Sequence, residues 1–171
     1  MARYVAFLRG VSPVNAKMPD LKRCFEAAGF ADVKTLLSSG NVAFTTRAAG
    51  ASALERRITE AMRSELDRVF ATIVRPSEHL QALVDADPFA QFDLPRAAKR
   101  VVTFLRQPPS AAVDLPPERD GVRILHVEGA EVFTAYVPGD KGPVFMGMLE
   151  RTFGSDITTR TFETVKKCAA A

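Results

Sequence analysis

The sequence predicts an α+β protein, and three observations support this prediction. Short apolar, β-prone runs alternate with amphipathic helical patterns in the first half of the chain. The alternation begins again in the second half, after a stretch over 88–98 that holds two prolines and no clear period. The composition, 47% hydrophobic and 25% charged, is typical of a globular protein and too apolar for a disordered one.

The first strand and helix are predicted from local patterns. An apolar run over 4–8 predicts a buried strand, and the loop 10–17 follows it. Pro19 suits the first turn of a helix, where a missing N–H costs no helical hydrogen bond. Gly29 stands where a helix-ending glycine is expected. The apolar face of this helix has the helical spacing of Leu21, Cys24, Phe25 and Ala28.

A hairpin and a final strand complete the first unit. Runs over 33–37 and 41–46 predict two strands around the turn Ser38-Ser39-Gly40. After a long helix, the run 71–74 predicts a fourth strand. The order is therefore β-α-β-β-α-β, the ferredoxin-like arrangement.

Two further helices are predicted from their first residues. Ser52 and Glu55 have the spacing of a capping box, in which each side chain bonds the other residue's backbone amide. We expect this helix to end near Phe70. Its inner stripe consists of Leu54, Ile58, Met62, Leu66 and Val69. Ser77 is placed to cap a shorter helix that runs through Val84.

The second half predicts a less regular repeat of the same unit. We expect a strand over 99–106 and then a helical turn over 110–113. A hairpin of strands over 122–127 and 131–137 follows, with a glycine- and proline-rich loop over 138–143. A helix is predicted from Pro143 through Phe153, stopping at Gly154, and a last helix starts near Thr161 with Lys166 and Lys167 in its final turn. The residues themselves show no convincing repeat, so the duplication rests on the order of the elements.

The predicted fold is therefore two ferredoxin-like lobes in tandem, the second less regular and followed by a C-terminal helix. The first lobe covers 1–86, a linker covers 87–98, and the second lobe covers 99–171. One compact domain over the whole chain is the alternative.

Composition limits the classes of partner. Lys and Arg outnumber Asp and Glu by 23 to 20, which gives a net charge of +3 and permits, without requiring, an anionic or nucleic-acid partner. Cys24 and Cys168 lie far apart and lack metal-ligand spacing, as expected in a reducing compartment. The apolar run at 4–8 is too short for a secretory signal, and no run approaches the roughly 20 residues of a membrane span. We predict a cytoplasmic protein with no membrane association.

Polar residues meet at one predicted edge of the first sheet. In the ferredoxin-like strand order, strands 1 and 3 are antiparallel neighbours, so the end of one lies beside the start of the other. These positions carry Arg9-Gly10 and Ser39-Gly40-Asn41, which we call the Arg9 edge. With the amides of the first helix, they are expected to form a pocket for an anion. Each residue also has a structural interpretation: Gly40 makes a turn, Asn41 satisfies loop amides, and Arg9 covers the core.

A second polar segment precedes the last predicted helix. Thr159 or Thr161 is an adequate N-cap for that helix, which is the structural interpretation. The functional interpretation is an anion held by the helix N-terminus together with Thr159 and Arg160.

The sequence contains no recognisable catalytic constellation, so it predicts neither a reaction nor a cofactor. The motifs of nucleophile elbows, zinc proteases, P-loops and dinucleotide sites are missing. His126 and Glu128 share a strand face, but a metal site needs a third ligand, so we expect none there. Cys24 lies on the apolar stripe of the first helix and is interpreted as a buried structural thiol.

Three ordered segments form a recognisable set: YVAFLRGV over 4–11, LSSGNVAF over 37–44 and TTRTFETV over 158–165. Together they resemble the signature segments of the domain-of-unknown-function 1697 family, and they span the chain from the first strand to the last helix. The resemblance implies a bacterial protein made of two ferredoxin-like lobes. It implies no established activity.

The chain departs from the family pattern at three places. An Asn-Val-Gly-Gly-like loop is replaced by the residues at 12–15, the last motif ends in Thr161-Phe162 instead of Asn-Trp, and Pro143-Val144 replaces a Ser-Lys pair. The loss of two glycines and a lysine weakens the interpretation of this chain as a phosphate cradle. The motif residues that remain are Arg9, Gly10, Ser39, Gly40, Asn41 and Arg160.

Three functions stay open. The first is binding of a small anionic or polar ligand at the Arg9 edge. The second is a nucleic-acid module, because RNA-binding domains of this fold stack bases on strand aromatics, and Tyr4, Phe7 and Phe44 are available. Their basic-glycine-aromatic motif is missing here, and Phe7 and Phe44 are predicted to lie in the core. The third is a protein-interaction or dimerisation module without catalysis.

Overall fold

The computed structural model describes residues 1–139 and 144–171 and divides the chain into two compact units. The first comprises Met1–Asp85 together with Lys166–Ala171, and the second comprises Ala86–Val165. No helix within the described ranges is long and apolar enough to cross a membrane.

The first unit has the predicted order of strands and helices. Its strands are β1 (Ala2–Leu8), β2 (Ala31–Leu36), β3 (Asn41–Thr46) and β4 (Thr72–Pro76). Its helices are α1 (Met18–Ala27) and α2 (Ala51–Glu65), and α3 (Ser77–Ala86) follows β4 directly. The sheet has the order β2-β3-β1-β4 with all neighbours antiparallel, which confirms the ferredoxin-like prediction.

The second unit repeats this sheet. Its strands are β5 (Lys99–Leu105), β6 (Val122–Glu128), β7 (Glu131–Tyr136) and β8 (Ile157–Thr161), in the order β6-β7-β5-β8. The helix α4 (Phe145–Phe153) precedes β8, and α5 (Phe162–Ala169) follows it. The prediction of a tandem arrangement with a less regular second lobe is confirmed. The helical turn expected over 110–113 is absent, so β5 and β6 are joined without a helix.

One face of the first sheet packs against α1 and α2. Alternation along β1 places Ala6 and Leu8 in this core. The ring centroid of Phe44 lies 4.4 Å from that of Phe30 and 5.6 Å from that of Phe25. This aromatic cluster joins the sheet to the helix that the sequence predicts most clearly.

The start of α2 differs from the prediction. The helix begins at Ala51, and Gly50 occupies the N-cap position without a side-chain hydrogen bond, so the predicted capping box of Ser52 and Glu55 is wrong. Glu55 points inward, and its Oε2 accepts a hydrogen bond of 2.9 Å from the N–H of Val74. Because β4 is an edge strand, its outward N–H groups need a partner outside the sheet, and Glu55 supplies one.

The end of α2 also comes earlier than predicted. The helix ends at Glu65 because Leu66 is already extended, with φ −123° and ψ 157°. Val69, expected on the inner stripe, is 42% exposed in the connection to β4. The chain leaves the helix here because Phe70, 2% exposed, must enter the core before β4 begins.

The residues before α3 and α5 also differ from the prediction. The Ser77 hydroxyl does not cap α3, since it is buried without a hydrogen-bond partner in the part of the chain that the structure describes. The polar threonine run is the strand β8, which pairs with β5 and which the sequence pattern missed because threonines are also typical of loops. Thr161 does cap α5: its Oγ1 accepts a hydrogen bond of 3.3 Å from the N–H of Thr164.

Helix α4 ends at Gly154, which has φ +88°, as predicted. Its predicted start at Pro143 and most of the loop 138–143 lie outside the described residues. Phe89, within the segment predicted as a linker, is buried, and its ring lies 5.7 Å from Phe133 and 5.0 Å from Phe162. This segment therefore contributes an aromatic side chain to the core of the second unit.

Candidate functional site

The register between β1 and β3 brings the two segments of the Arg9 edge together. Phe7 pairs with Asn41, and the N–H of Leu8 donates a hydrogen bond of 2.8 Å to the carbonyl of Gly40. On the other side, the N–H of Arg9 donates to the carbonyl of Ala71, 2.9 Å away. The end of β1 is thus fixed between the start of β3 and the start of β4.

Three residues at this edge have left-handed backbone conformations. The φ angles are +85° at Gly10, +59° at Leu37 and +87° at Gly40. A Cβ on Gly40 would lie 2.9 Å from the Cβ of Val11, so this glycine is required both by its dihedral angle and by a close contact. A Cβ on Gly10 would meet no atom within 4 Å, so the chain there borders open space.

Asn41 has a structural role at the edge. It is completely buried, and its Nδ2 donates to the carbonyl of Leu36 at 3.0 Å and to Oγ of Ser39 at 2.9 Å. Both amide hydrogens therefore hold the β2–β3 turn. Asn41 thus stabilises the turn by donating to a carbonyl and a hydroxyl, and Arg9, Gly10 and Ser39 are the groups of the edge nearest to solvent.

The loop before α1 offers fewer amides to a ligand than the sequence predicts. Asn15 closes this loop, because its Nδ2 donates to the carbonyl of Gly10 at 2.8 Å. In the first turn of α1, Pro19 has no N–H, and the amides of Asp20 and Leu21 both donate to the carbonyl of Lys17. Most of the expected helix donors are thus used within the chain.

The Arg9 edge lies at the end of the sheet face opposite α1 and α2. Alternation along β1 places Arg9 on the same face as Val5 and Phe7, both of which are completely buried. Phe44 is buried in the core on the other face. The prediction that Phe7 and Phe44 are core residues is confirmed, so neither ring is exposed for stacking on a base.

Thr159 and Arg160 are neighbours in β8, so their side chains point to opposite faces of the second sheet. Oγ1 of Thr159 lies 3.5 Å from Sδ of Met146 in α4. Arg160 is 9% exposed, and its Nη1 donates a hydrogen bond of 2.7 Å to the carbonyl of Thr159. The two side chains therefore do not line one pocket together.

Two residues of interest were not singled out from the sequence. Leu37, predicted inside a strand, lies in the turn and is 49% exposed. Arg75, 8% exposed in β4, occupies the place in the first sheet that Arg160 occupies in the second. The sequence carries a signal for Arg75 and Arg160, because each stands three residues before a glutamate in the first turn of the following helix. These glutamates are Glu78 and Glu163.

The structure confirms that Cys24 is a buried thiol of the core. Burial, followed by the negative charge of Glu65, raises the pKa of Cys24 to about 11, so the thiol is protonated at neutral pH. Within residues 1–139 and 144–171, no group of three or more His, Cys, Asp or Glu side chains is placed to hold a metal ion.

The two glycines of the Arg9 edge are expected to differ in their tolerance of alanine. Gly40→Ala should lower the free energy of unfolding by about 2–4 kcal/mol, because a left-handed strain of about 1–2 kcal/mol adds to overpacking against Val11. Gly10→Ala should cost only the dihedral part, about 1–2 kcal/mol. Urea denaturation measures both values, and equal losses would contradict the close contact at Gly40.

The stability of the protein is expected to fall as the pH rises from about 9 to about 11. In this window the unfolded chain loses the Cys24 proton while the folded chain keeps it, so deprotonation favours unfolding. Cys24→Ala removes this contribution and leaves the other titrating groups in place. The unfolding free energy of the wild type should therefore depend more steeply on pH than that of the variant, and identical slopes would refute the raised pKa.

A solved structure with this fold is that of the conserved bacterial protein SP0830 from Streptococcus pneumoniae. The two chains are 18% identical, the match covers 99% of this chain and 97% of that one, and the TM-score is 0.72. At this identity the likeness concerns the fold alone. No curated protein matches the chain.

The family described as "Protein of unknown function (DUF1697)" matches residues 1–133. The matched range contains the first two sequence motifs and extends from β1 into β7. The chain therefore belongs to the DUF1697 family, as its sequence motifs predict.

Proposed function

We propose that this protein binds a small anionic or polar ligand at the Arg9 edge. The observation that carries the proposal is the pairing of Leu8 with Gly40, which sets the guanidinium-bearing Arg9 beside the hydroxyl-bearing Ser39. A guanidinium and a hydroxyl are suitable partners for phosphate, carboxylate or polar oxygen atoms.

The backbone at Gly10 supports the same proposal. Its N–H donates to no other residue in the part of the chain that the structure describes, and open space lies where a Cβ would stand. A ligand atom has room to approach this N–H closely, which is one reason for a glycine in a binding loop.

Leu37 provides a third argument. A left-handed leucine costs about 1–2 kcal/mol relative to an ordinary backbone conformation, and glycine or asparagine would avoid most of this cost. Such strain concentrates at functional sites. We therefore place the exposed Leu37 side chain at the border of the site, as an apolar contact for the ligand.

The proposal is tested with native mass spectrometry of the freshly purified protein and a thermal-shift screen of phosphates, carboxylates and neutral polar compounds. Ligands found in this way should bind Arg9→Ala roughly ten- to a hundredfold more weakly, because a charged hydrogen bond is lost. Arg47→Ala is the matched control, since Arg47 is an exposed arginine at the other end of β3.

A second variant separates binding from folding. Leu37→Gly relieves the left-handed strain, so it should unfold at no lower urea concentration than the wild type and yet bind the ligand more weakly. Ligands that bind Arg9→Ala as tightly as the wild type would contradict the proposal, and so would a screen without any saturable ligand.

A protein partner at the same edge is the second candidate. Three exposed apolar side chains lie on the three loops of this edge: Val14 is 96% exposed, Leu37 is 49% exposed and Val69 is 42% exposed. Exposed apolar side chains on loops at one end of a sheet favour an interaction surface there. Light scattering tests the case in which the partner is a second copy of the chain, because self-association raises the mass with concentration whereas binding of a small ligand leaves it unchanged.

The cytoplasm is our proposed location. Cys24 and Cys168 are both buried and form no disulfide, which agrees with a reducing compartment.

A further inference from the structure

A cleft lies at the same end of the first sheet as the Arg9 edge, on the face that packs against α1 and α2. It is bordered by the first turns of α1 and by the segment that joins α2 to β4. It encloses about 340 Å³, a size that suits a small molecule. We call it the α1–α2 cleft. The lining side chains that carry its chemistry are Asp20, Arg23, Cys24, Glu65, Asp67, Arg68 and Phe70.

The back wall of the cleft is apolar and closed. Phe70 is 2% exposed and Cys24 is completely buried. The Cys24 thiol makes no hydrogen bond to any described residue. It lies close enough to Glu65 for the charge of that carboxylate to raise the pKa of the thiol. Because the thiol stays protonated at neutral pH, it adds a weak hydrogen-bonding group to the wall but no charge.

The charged groups of the cleft are three carboxylates and the guanidiniums of Arg23 and Arg68, which leave one net negative charge. Asp20 is paired with Arg23, so these two charges offset each other. Glu65 and Asp67 have no ion-pair or hydrogen-bond partner among residues 1–139 and 144–171. Two carboxylates thus border the cavity and are available to a cation from solution.

The chain itself shows what kind of cation the aromatic wall accepts. The guanidinium of Arg68 lies over the ring of Phe70, 5.1 Å from its centroid. A planar or alkyl cation is attracted to the face of an aromatic ring in this way. Because the Arg68 guanidinium covers the ring and Phe70 is 2% exposed, a ligand cation makes this cation–π contact by displacing Arg68.

We propose that the α1–α2 cleft binds a small organic cation that carries an amine or a guanidinium group. Glu65 and Asp67 neutralise the cationic group, and the ligand takes the position of the Arg68 guanidinium over Phe70. Alternation along β1 places Arg9 on the opposite face of the sheet from α1 and α2, so this site is independent of the function proposed above.

The test uses agmatine, which carries one ammonium and one guanidinium group, in isothermal titration calorimetry on the full chain. We expect saturable binding that becomes about tenfold or more weaker in the double variant Glu65→Gln/Asp67→Asn. The matched control is Asp114→Asn/Glu118→Gln, which removes the same charge at exposed positions of the second unit. The control should bind as the wild type does, and thermal melting checks that all variants are folded.

Two further variants make the result specific. Arg68→Ala frees the ring of Phe70 and should bind agmatine at least as tightly as the wild type, whereas Arg9→Ala should leave this binding unchanged. Absence of saturable binding at millimolar agmatine, equal losses in the double variant and its control, or loss of binding in Arg68→Ala would each overturn the proposal. None of these outcomes bears on the Arg9 edge, which has its own variant and its own ligands.

Discussion

The antiparallel pairing of β1 with β3 is the constraint on which the rest of the candidate site depends. It sets Phe7 opposite Asn41, and one step further it brings Leu8 to the carbonyl of Gly40. The close approach continues in the loop, because Val11 packs where a Cβ of residue 40 would stand. A side chain at Gly40 would push the β2–β3 turn and the loop before α1 apart. The Arg9 edge exists because this position has no side chain.

The same sheet edge has different chemistry on its two faces. The face that bears Arg9 presents a cation, a hydroxyl and an open backbone N–H, whereas the α1–α2 cleft presents the carboxylates of Glu65 and Asp67. The sequence interpretation treated the edge as one anion pocket that included the amides of α1. Internal hydrogen bonds to Lys17 use most of these amides, and carboxylates border the cleft, so we propose two separate sites of opposite charge preference.

Local patterns predicted the first unit well, because its information lies in neighbouring residues. The apolar alternation of β1 and the helical spacing of Leu21 and Cys24 each need only a short window of sequence. The hydrogen-bond partner of Glu55 could not be predicted from a short window of sequence. Its spacing from Ser52 fits a capping box, but the unpaired N–H of Val74 on an edge strand is a stronger partner that only the tertiary fold provides.

The parts that sequence missed share this dependence on distant residues. Leu37 has a side chain typical of strands, and nothing in its neighbours reports the left-handed turn that Asn41 stabilises from inside the core. The strand β8 consists largely of threonines, which become a strand because β5 offers them a partner. The buried arginines at 75 and 160 each precede a glutamate by three residues, but their equivalence depends on the strand order that the two sheets share.

The most direct test of two opposed sites at one edge is an amide-resolved NMR titration of the full chain with inorganic phosphate and, separately, with agmatine. We predict that phosphate shifts the amides of Arg9, Gly10 and 38–41, and that agmatine shifts those near Cys24 and over 65–70. Responses of the same amides to both compounds, or phosphate shifts confined to other parts of the chain, would contradict this assignment.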